Sequence, residues 1–271
     1  MTDPVNDPLA DETAALTYTS YLALDEVLAA QRPRSDEHDE MLFIIIHQVY
    51  ELWFKQLLHE LKHLQNKLEE PDTPHSVRAL RRTLTILKVV VAQIDVLETM
   101  TPRQFTSFRA LLDASSGFQS GQFRELEAVL GRRDRRAFGH YPQGSVARER
   151  ITSAMSRRSV FDSFLHYLAG NGYPVPTEHL ERDVRETWKP SEEVQRILVM
   201  VYQDDAGPST VADLLVDLDE GLQEWRYRHV KMVERTIGGK PGTGGSAGAA
   251  YLRSTLFQSV FPDLWAVRSE L

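Results

Sequence analysis

Two stretches of this chain hold helical register over lengths that few folds accommodate. Residues 38–69 follow Ser35, Asp36 and Glu37, residue types suited to a helix N-terminus, and run through FIIIHQVYELWFKQLLHELKHL. Up to Phe54 this segment is apolar nearly all round, the pattern of a helix buried on most sides. Residues 209–237 instead carry a stripe, Leu215, Leu218, Leu222, Trp225, His229 and Met232, whose spacings alternate three and four and so share one face. The opposite face is charged, from Asp217 and Glu220 to Glu234 and Arg235. Shorter helical patterns cover about 20–31, 75–99, 103–113, 119–131, 145–170, 177–187, 191–203 and 250–259. Breaks fall at Pro-Asp-Thr-Pro (71–74), the Gly/Pro-rich run 170–176 and Gly-Pro (207–208). No run of alternating β-branched residues and no fixed-period repeat interrupts the pattern. The expectation is an all-α, single-domain helical bundle over residues 17–271 with long central helices, preceded by a mobile tail over 1–16.

A chain of 271 residues can build a core large enough to enclose a cofactor. The absence of cysteine excludes disulfides, thiolate metal sites, iron–sulfur clusters and cysteine nucleophiles. A metal must then be held by His, Asp or Glu, or arrive inside an organic cofactor. The net charge of −8 has the wrong sign for a nucleic-acid surface. One basic cluster, Arg132, Arg133, Arg135 and Arg136 with Arg148 and Arg150 nearby, reads as a solvated loop. The N-terminal segment lacks the apolar run of a signal peptide, and no stretch approaches the ~18–20 apolar residues of a membrane span. A cytoplasmic protein is expected.

Three side chains sit where their chemistry conflicts with their surroundings. His229 lies on the apolar stripe, where an unpartnered polar group costs roughly 1–3 kcal/mol. Either a carbonyl satisfies it in the core, or it is an axial iron ligand, a role suited to a neutral imidazole on a rigid helix. His47 follows Phe43 and precedes Tyr50 and Phe54 at helical spacing, so it too faces aromatic rings. It is a core histidine, an iron ligand, a general base or an acceptor for a ligand N–H. Arg109 shares a face with Phe105 and Leu112, and its permanent charge wants an anion, either an internal carboxylate or that of a ligand. His59 and His63, one turn apart, have metal-chelating spacing but sit where the helix has turned amphipathic, which favours a solvated face.

The glycine-rich run Gly238–Gly248 (GGKPGTGGSAG) suggests phosphate loops, but proline follows Gly239-Lys240 and the P-loop pattern fails. Its loose GxGxxA match follows a helical pattern where a dinucleotide fingerprint requires a strand. What remains is a segment of bare backbone N–H groups with hydroxyls at Thr243 and Ser246, suited to closing over a small polar ligand.

Read in order, several motifs resemble the tryptophan 2,3-dioxygenase family. They are Tyr18-Thr-Ser-Tyr21-Leu22, then His38-Asp-Glu-Met-Leu-Phe43-Ile44-Ile45-Ile46-His47-Gln48, and Glu51-Leu-Trp-Phe-Lys55. Next come Ser116-Gly-Phe-Gln-Ser120 with Gln122-Phe-Arg124, Trp225-Arg-Tyr-Arg-His229 and Gly242-Thr-Gly-Gly-Ser246. Tyr251-Leu-Arg253 and Phe261-Pro-Asp-Leu-Trp265 complete the set, so the resemblance runs from about residue 17 to the end.

That resemblance implies a homotetramer with one haem b per chain in the helical bundle. It implies that His229 is the proximal iron ligand and that His47 accepts the indole N–H of L-tryptophan. The run Phe43, Ile44, Ile45, Ile46, His47 would bind substrate, with Phe43 packing on the indole. Arg109 would hold the substrate carboxylate beside Phe105, and Thr243 its ammonium and carboxylate ends. Ser120 and Gly121, in the Ser116–Gln122 loop, would belong to the distal haem wall. Tyr18, Tyr21 and Leu22 would reach into a neighbouring subunit's pocket. The implied reaction adds O2 across indole C2–C3 and cleaves that bond to N-formylkynurenine, with no nucleic-acid or membrane partner. One departure stands out: many bacterial members carry tyrosine at position 105, where this chain has Phe105. Retuned substrate binding is expected from it. Two alternatives follow, a relative oxygenating a substituted tryptophan and a haem sensor without turnover; the polar set His47, Arg109 and Thr243 argues against the second.

Overall fold

The computed structural model describes residues 15–113, 115, 117–134, 139, 141–240 and 249–271. No strand occurs among them, and the chain is all-α as its periodicity predicts. The tail expected over 1–16 lies, except for its last two residues, outside the described residues.

Both long patterns become long helices, α3 (His38–Glu69) and α11 (Gly207–Ile237), and α4 (Thr73–Leu97) packs along both of them. At 1.5 Å per residue α11 is about 46 Å long. Asp72 separates α3 from α4 and caps the latter, accepting from the His75 amide at 3.2 Å. Gly221 marks the close crossing of α11 over α4, since a Cβ there would stand 2.7 Å from Leu87 Cδ2. Around this trio run α5 (Pro102–Arg109), α6 (Gly121–Leu130), α7 (Val146–Met155), α8 (Val160–Gly170), α9 (Thr177–Leu180) and α10 (Glu192–Asp204). Leu64, Leu68, Leu80, Phe164, Tyr167 and Leu215 are fully buried where α3, α4, α8 and α11 meet.

Several elements depart from the periodic reading. The helix expected over 20–31 is two short ones, α1 (Tyr18–Tyr21) and α2 (Leu24–Leu28), parted by Ala23 in a left-handed conformation (φ 50°). The pattern 145–170 splits into α7 and α8 because Ser159 and Asp162 form a capping box, the Ser159 amide donating to the carboxylate at 2.8 Å. That box is visible in the sequence as Ser-x-x-Asp. The pattern 177–187 keeps only α9, and 250–259 only α12 (Ala249–Arg253); α13 (Pro262–Ala266) had no periodic signal. Nor is the N-terminal half of α3 buried on most sides: Met41, Ile45 and Leu52 are exposed, on the face turned from α4.

Two buried carboxylates without cations tie the C-terminal segment to the bundle. Asp219 on α11 accepts from the Val260 and Phe261 amides, Trp265 Nε1 and Gln223, all at 2.9–3.0 Å. Asp263 accepts from Trp188 Nε1, the Ser191 amide and Gln195.

Candidate functional site

One continuous stripe on each long helix serves both the core and the site. On α3 the residues Phe43, His47, Tyr50, Phe54, Leu57, Leu61, Leu64 and Leu68 follow at alternating four and three. Leu57 onward is buried in the core, whereas Phe43 to Phe54 line a cavity. On α11 the order is reversed: Leu215, Leu218 and Leu222 are core, and Trp225, His229, Met232 and Thr236 line the same cavity. The stripes part at one end of the bundle and leave about 1550 Å³ of empty space, some of it open to solvent. Phe105 and Arg109 of α5, and Ser120, Phe123, Arg124 and Glu127 at and along α6, close other sides.

The two cavity imidazoles differ in what holds them. His47 Nδ1 donates to the Phe43 carbonyl at 2.7 Å, since a carbonyl can only accept, and this leaves Nε2 as the ring's acceptor. The Phe43 ring lies 4.1 Å from it, centroid to centroid. Burial pushes the His47 pKa below its ordinary value, against the opposing effects of the Phe43 carbonyl and Glu51. No hydrogen bond reaches His229 from any described residue; its neighbour is the Trp225 ring, parallel to within 4° at 5.1 Å. Burial, helped by nearby His47 and Arg124, depresses the His229 pKa to about 4. With both pKa values lowered by burial, the neutral form of each ring prevails near neutral pH. The core-histidine reading of His229 required a carbonyl partner, and none is found among the described residues.

Other expected residues fall in distinct places. Arg109 ends α5 half-buried on the cavity wall, and Phe105 packs between Phe43 and Phe108 with ring centroids at 5.7 and 5.5 Å. Ser120 lines the cavity and caps α6 by accepting from the Phe123 amide at 3.1 Å. Gly121 instead faces α7, where a Cβ would stand 2.8 Å from Ala147 Cβ. Ile44, Ile45 and Ile46 do not line the cavity, because ~100° of helical rotation per residue carries them away from the Phe43–His47 face. Ile46 packs with Leu97 and Phe108, and Ile45 is exposed. Tyr18, Tyr21 and Leu22 are exposed and do not line the cavity of their own chain. His59 and His63 are exposed on α3. Thr243, Ser246 and Ser116 lie outside the described residues.

The described cavity wall also carries residues that the motifs left without a role: Tyr50, Trp225, Arg226, Glu127 and Arg132. Arg132 and Arg133 are not a solvated loop. Arg133 is buried and donates to the carbonyls of Val184 (2.7 Å), Arg157 (3.0 Å) and Ala128, and burial lowers its pKa to about 10. Arginines in a loop signal solvent only when no apolar element covers the loop; here α7 and α8 do.

Comparison with known proteins bears directly on this site. A family model described as tryptophan 2,3-dioxygenase matches residues 4–143 and 192–271, which include every cavity-lining residue. The chain belongs to the tryptophan 2,3-dioxygenase family. It is 61% identical to a tryptophan 2,3-dioxygenase of Anaeromyxobacter sp. (strain K) over 272 residues, with both chains fully covered. A protein of that name from Herpetosiphon aurantiacus is 56% identical over 95% of this chain and 99% of its own, and one from Caulobacter vibrioides is 44% identical over 94% and 98%. Residues 144–191, outside the family match, contribute α7, α8 and α9, and α8 places Phe161, Phe164 and Tyr167 in the core. Thus the stretch the tryptophan 2,3-dioxygenase model leaves out supports the bundle and lines none of the cavity. Among the described residues, no helix is long and apolar enough to cross a membrane.

Proposed function

We propose that this chain is a haem b enzyme that cleaves the indole C2–C3 bond of L-tryptophan with O2, giving N-formylkynurenine. The observation that carries the reading is His229, a neutral imidazole lining an apolar cavity with no protein hydrogen-bond partner among the described residues. Such a ring fits a porphyrin iron: its lone pair is free of a proton and its helix is rigid. When bound, the haem supplies oxygen binding and the electronic changes of oxygen insertion.

The chain's own residues bind and orient the substrate. His47 Nε2 accepts the indole N–H, and the proton on Nδ1, fixed by the Phe43 carbonyl, keeps that lone pair available. Phe43 and Phe105 pack against the indole and exclude water. Arg109 grips the carboxylate, a role its planar donors suit. Thr243 contacts the ammonium and carboxylate ends. His47 positions the indole and is not an obligatory base. Both oxygen atoms enter the product, one on former C2 as formyl and one on former C3 as ketone.

The protein works as a cytoplasmic homotetramer, in which Tyr18, Tyr21 and Leu22 enter a neighbour's pocket. Their exposure, and the apolar face Met41, Ile45 and Leu52 on α3, support a covered surface in the assembly. The deciding experiment mixes reduced, haem-loaded protein with L-tryptophan and 18O2. N-formylkynurenine carrying two labelled atoms is expected; a product with one label, or none formed, overturns the reading.

A further inference from the structure

The two cavity imidazoles reach their orientations by different means. His47 is tied through Nδ1 to the Phe43 carbonyl at 2.7 Å, and the ring beside it, Phe43, lies tilted at 40°. His229 makes no hydrogen bond to any described residue, and the ring beside it, Trp225, lies parallel to within 4°. The torsion that turns a histidine ring about its Cβ–Cγ bond has broad wells, so the plane of the ring is fixed only by what touches it. A metal-bound imidazole ordinarily has its plane set by the second ring N–H, donated to a carboxylate or a carbonyl. Among the described residues no such acceptor meets His229, and an indole face does.

Helix geometry brings the two rings together. Trp225 and His229 are four residues apart on α11, and side chains on a helix lean toward its N-terminus, so the imidazole is carried back over the indole. The indole in turn has little freedom. Phe123 of α6 packs on it at 4.7 Å and 40°, and Phe54 of α3 meets it edge-on at 6.2 Å and 85°. Its Nε1 is buried beside the Tyr50 hydroxyl, which donates to the Val90 carbonyl of α4 at 3.0 Å. Residues of α3, α4 and α6 thus hold the indole still against α11. Packing alone does not demand a parallel pair, since Phe54 and Phe123 both meet the same indole at steep angles. The parallel partner is the one ring of the group that lacks a hydrogen bond to orient it.

We propose that Trp225 is the positioning residue of the iron ligand: its clamped ring sets the plane of the His229 imidazole by stacking, in place of a hydrogen bond. The inference rests on the haem reading above. Trp225 acts through His229 and has no part in binding the substrate.

The test reads the imidazole plane and not turnover. In a low-spin ferric complex that plane sets the splitting of the iron d orbitals, which electron paramagnetic resonance reports as g values. Haem-loaded wild type, Trp225→Phe and Trp225→Met are oxidised and converted to their azide adducts. Trp225→Phe, which keeps a flat ring, should retain the wild-type g values. Trp225→Met, which fills space without a plane, should shift them or split them into more than one set. Leu215→Ala, which loosens the core of the same helix far from His229, should lower the unfolding free energy and leave the g values in place. Wild-type g values in Trp225→Met overturn the proposal, as does a Trp225→Phe variant that behaves like Trp225→Met. A Leu215→Ala variant whose g values move as far overturns it too, because general loosening then accounts for both. Loss of a large ring can stop a chain folding, so the wild type carries an arm of its own: one narrow set of g values is expected, and several sets overturn the proposal. A wild type that takes up no haem overturns the haem reading and this proposal with it; haem uptake with any of the overturning spectra sinks this proposal alone.

Discussion

The rings of Trp225 and His229, one turn apart on α11, lie parallel to within 4° with centroids 5.1 Å apart. Trp225 Nε1 is buried without a hydrogen bond of ordinary geometry, close to the Tyr50 hydroxyl, which donates to the Val90 carbonyl at 3.0 Å. The indole is therefore held by packing, and it leaves the imbalance of an unused polar atom beside an unused imidazole. Since His229 makes no hydrogen bond to any described residue, removing it breaks none of theirs. His229→Ala should abolish the haem Soret band while the apo-protein keeps its unfolding free energy within about 1 kcal/mol of wild-type apo-protein. A variant that retains a normal Soret spectrum would remove His229 from the iron.

His47 is locked by its own helix, through Nδ1 to the Phe43 carbonyl. His47→Ala should keep measurable turnover of L-tryptophan but raise KM by about tenfold, the worth of one hydrogen bond in a dry site. The same variant should bind L-tryptophan and its 1-methyl derivative alike, because the N–H that distinguishes them loses its acceptor. Steady-state kinetics on both substrates reads this directly.

Arg109 and Phe105 occupy adjacent turns of α5 on the cavity wall. Arg109→Ala should raise KM for L-tryptophan by at least about tenfold, with a smaller effect on tryptamine, which has no carboxylate. Phe105→Tyr should lower KM, since a hydroxyl there adds a donor toward the carboxylate worth about 1–2 kcal/mol. A Phe105→Tyr enzyme with unchanged KM would show that position 105 does not face the carboxylate.

Glu40, buried in the first turn of α3, accepts from the Arg34 and Ser35 amides, each at 2.8 Å, and from the Ser35 hydroxyl. Burial raises its pKa, but those hydrogen bonds and the Arg34 charge outweigh it, and the carboxyl sits below its ordinary 4.5. A carboxyl depressed on folding stabilises the native state above the unfolded value, and that stability is lost as pH falls through the folded one. Glu40→Gln should therefore flatten the decline of stability below about pH 4.5. It should also speed amide exchange over residues 17–35, which mass spectrometry after deuterium labelling resolves.

Asp219 holds the segment leading into α13, and α13 itself, through three donors, the Val260 and Phe261 amides and Trp265 Nε1. Asp219→Ala should cost more than about 3 kcal/mol in urea unfolding, because two amides and an indole N–H lose their acceptor together. Asp219→Asn, which keeps one oxygen, should fall between that variant and the wild type.

How much of this was legible depends on whether the cause is local. The stripes of α3 and α11 were readable because helical spacing needs only the order of residues, and the Ser159–Asp162 box was readable for the same reason. Where the stripes leave the core was not, since the same spacing buries Leu222 and opens His229 to a cavity. Periodicity gave α13 no signal at all; Asp263 and Asp219 fix that segment with bonds spanning scores of residues.

By itself the order of residues determined the all-α class, the two long helices and the aromatic faces around His47 and His229, because each follows from side-chain direction along one helix. The tertiary structure alone decided that His229 makes no hydrogen bond to any described residue, that Ile44 to Ile46 turn from the cavity, and that Arg132 meets Glu127 and Arg226. Those outcomes depend on which distant helices end up adjacent, and burial, not sequence spacing, sets the cost of a charge or an unused lone pair.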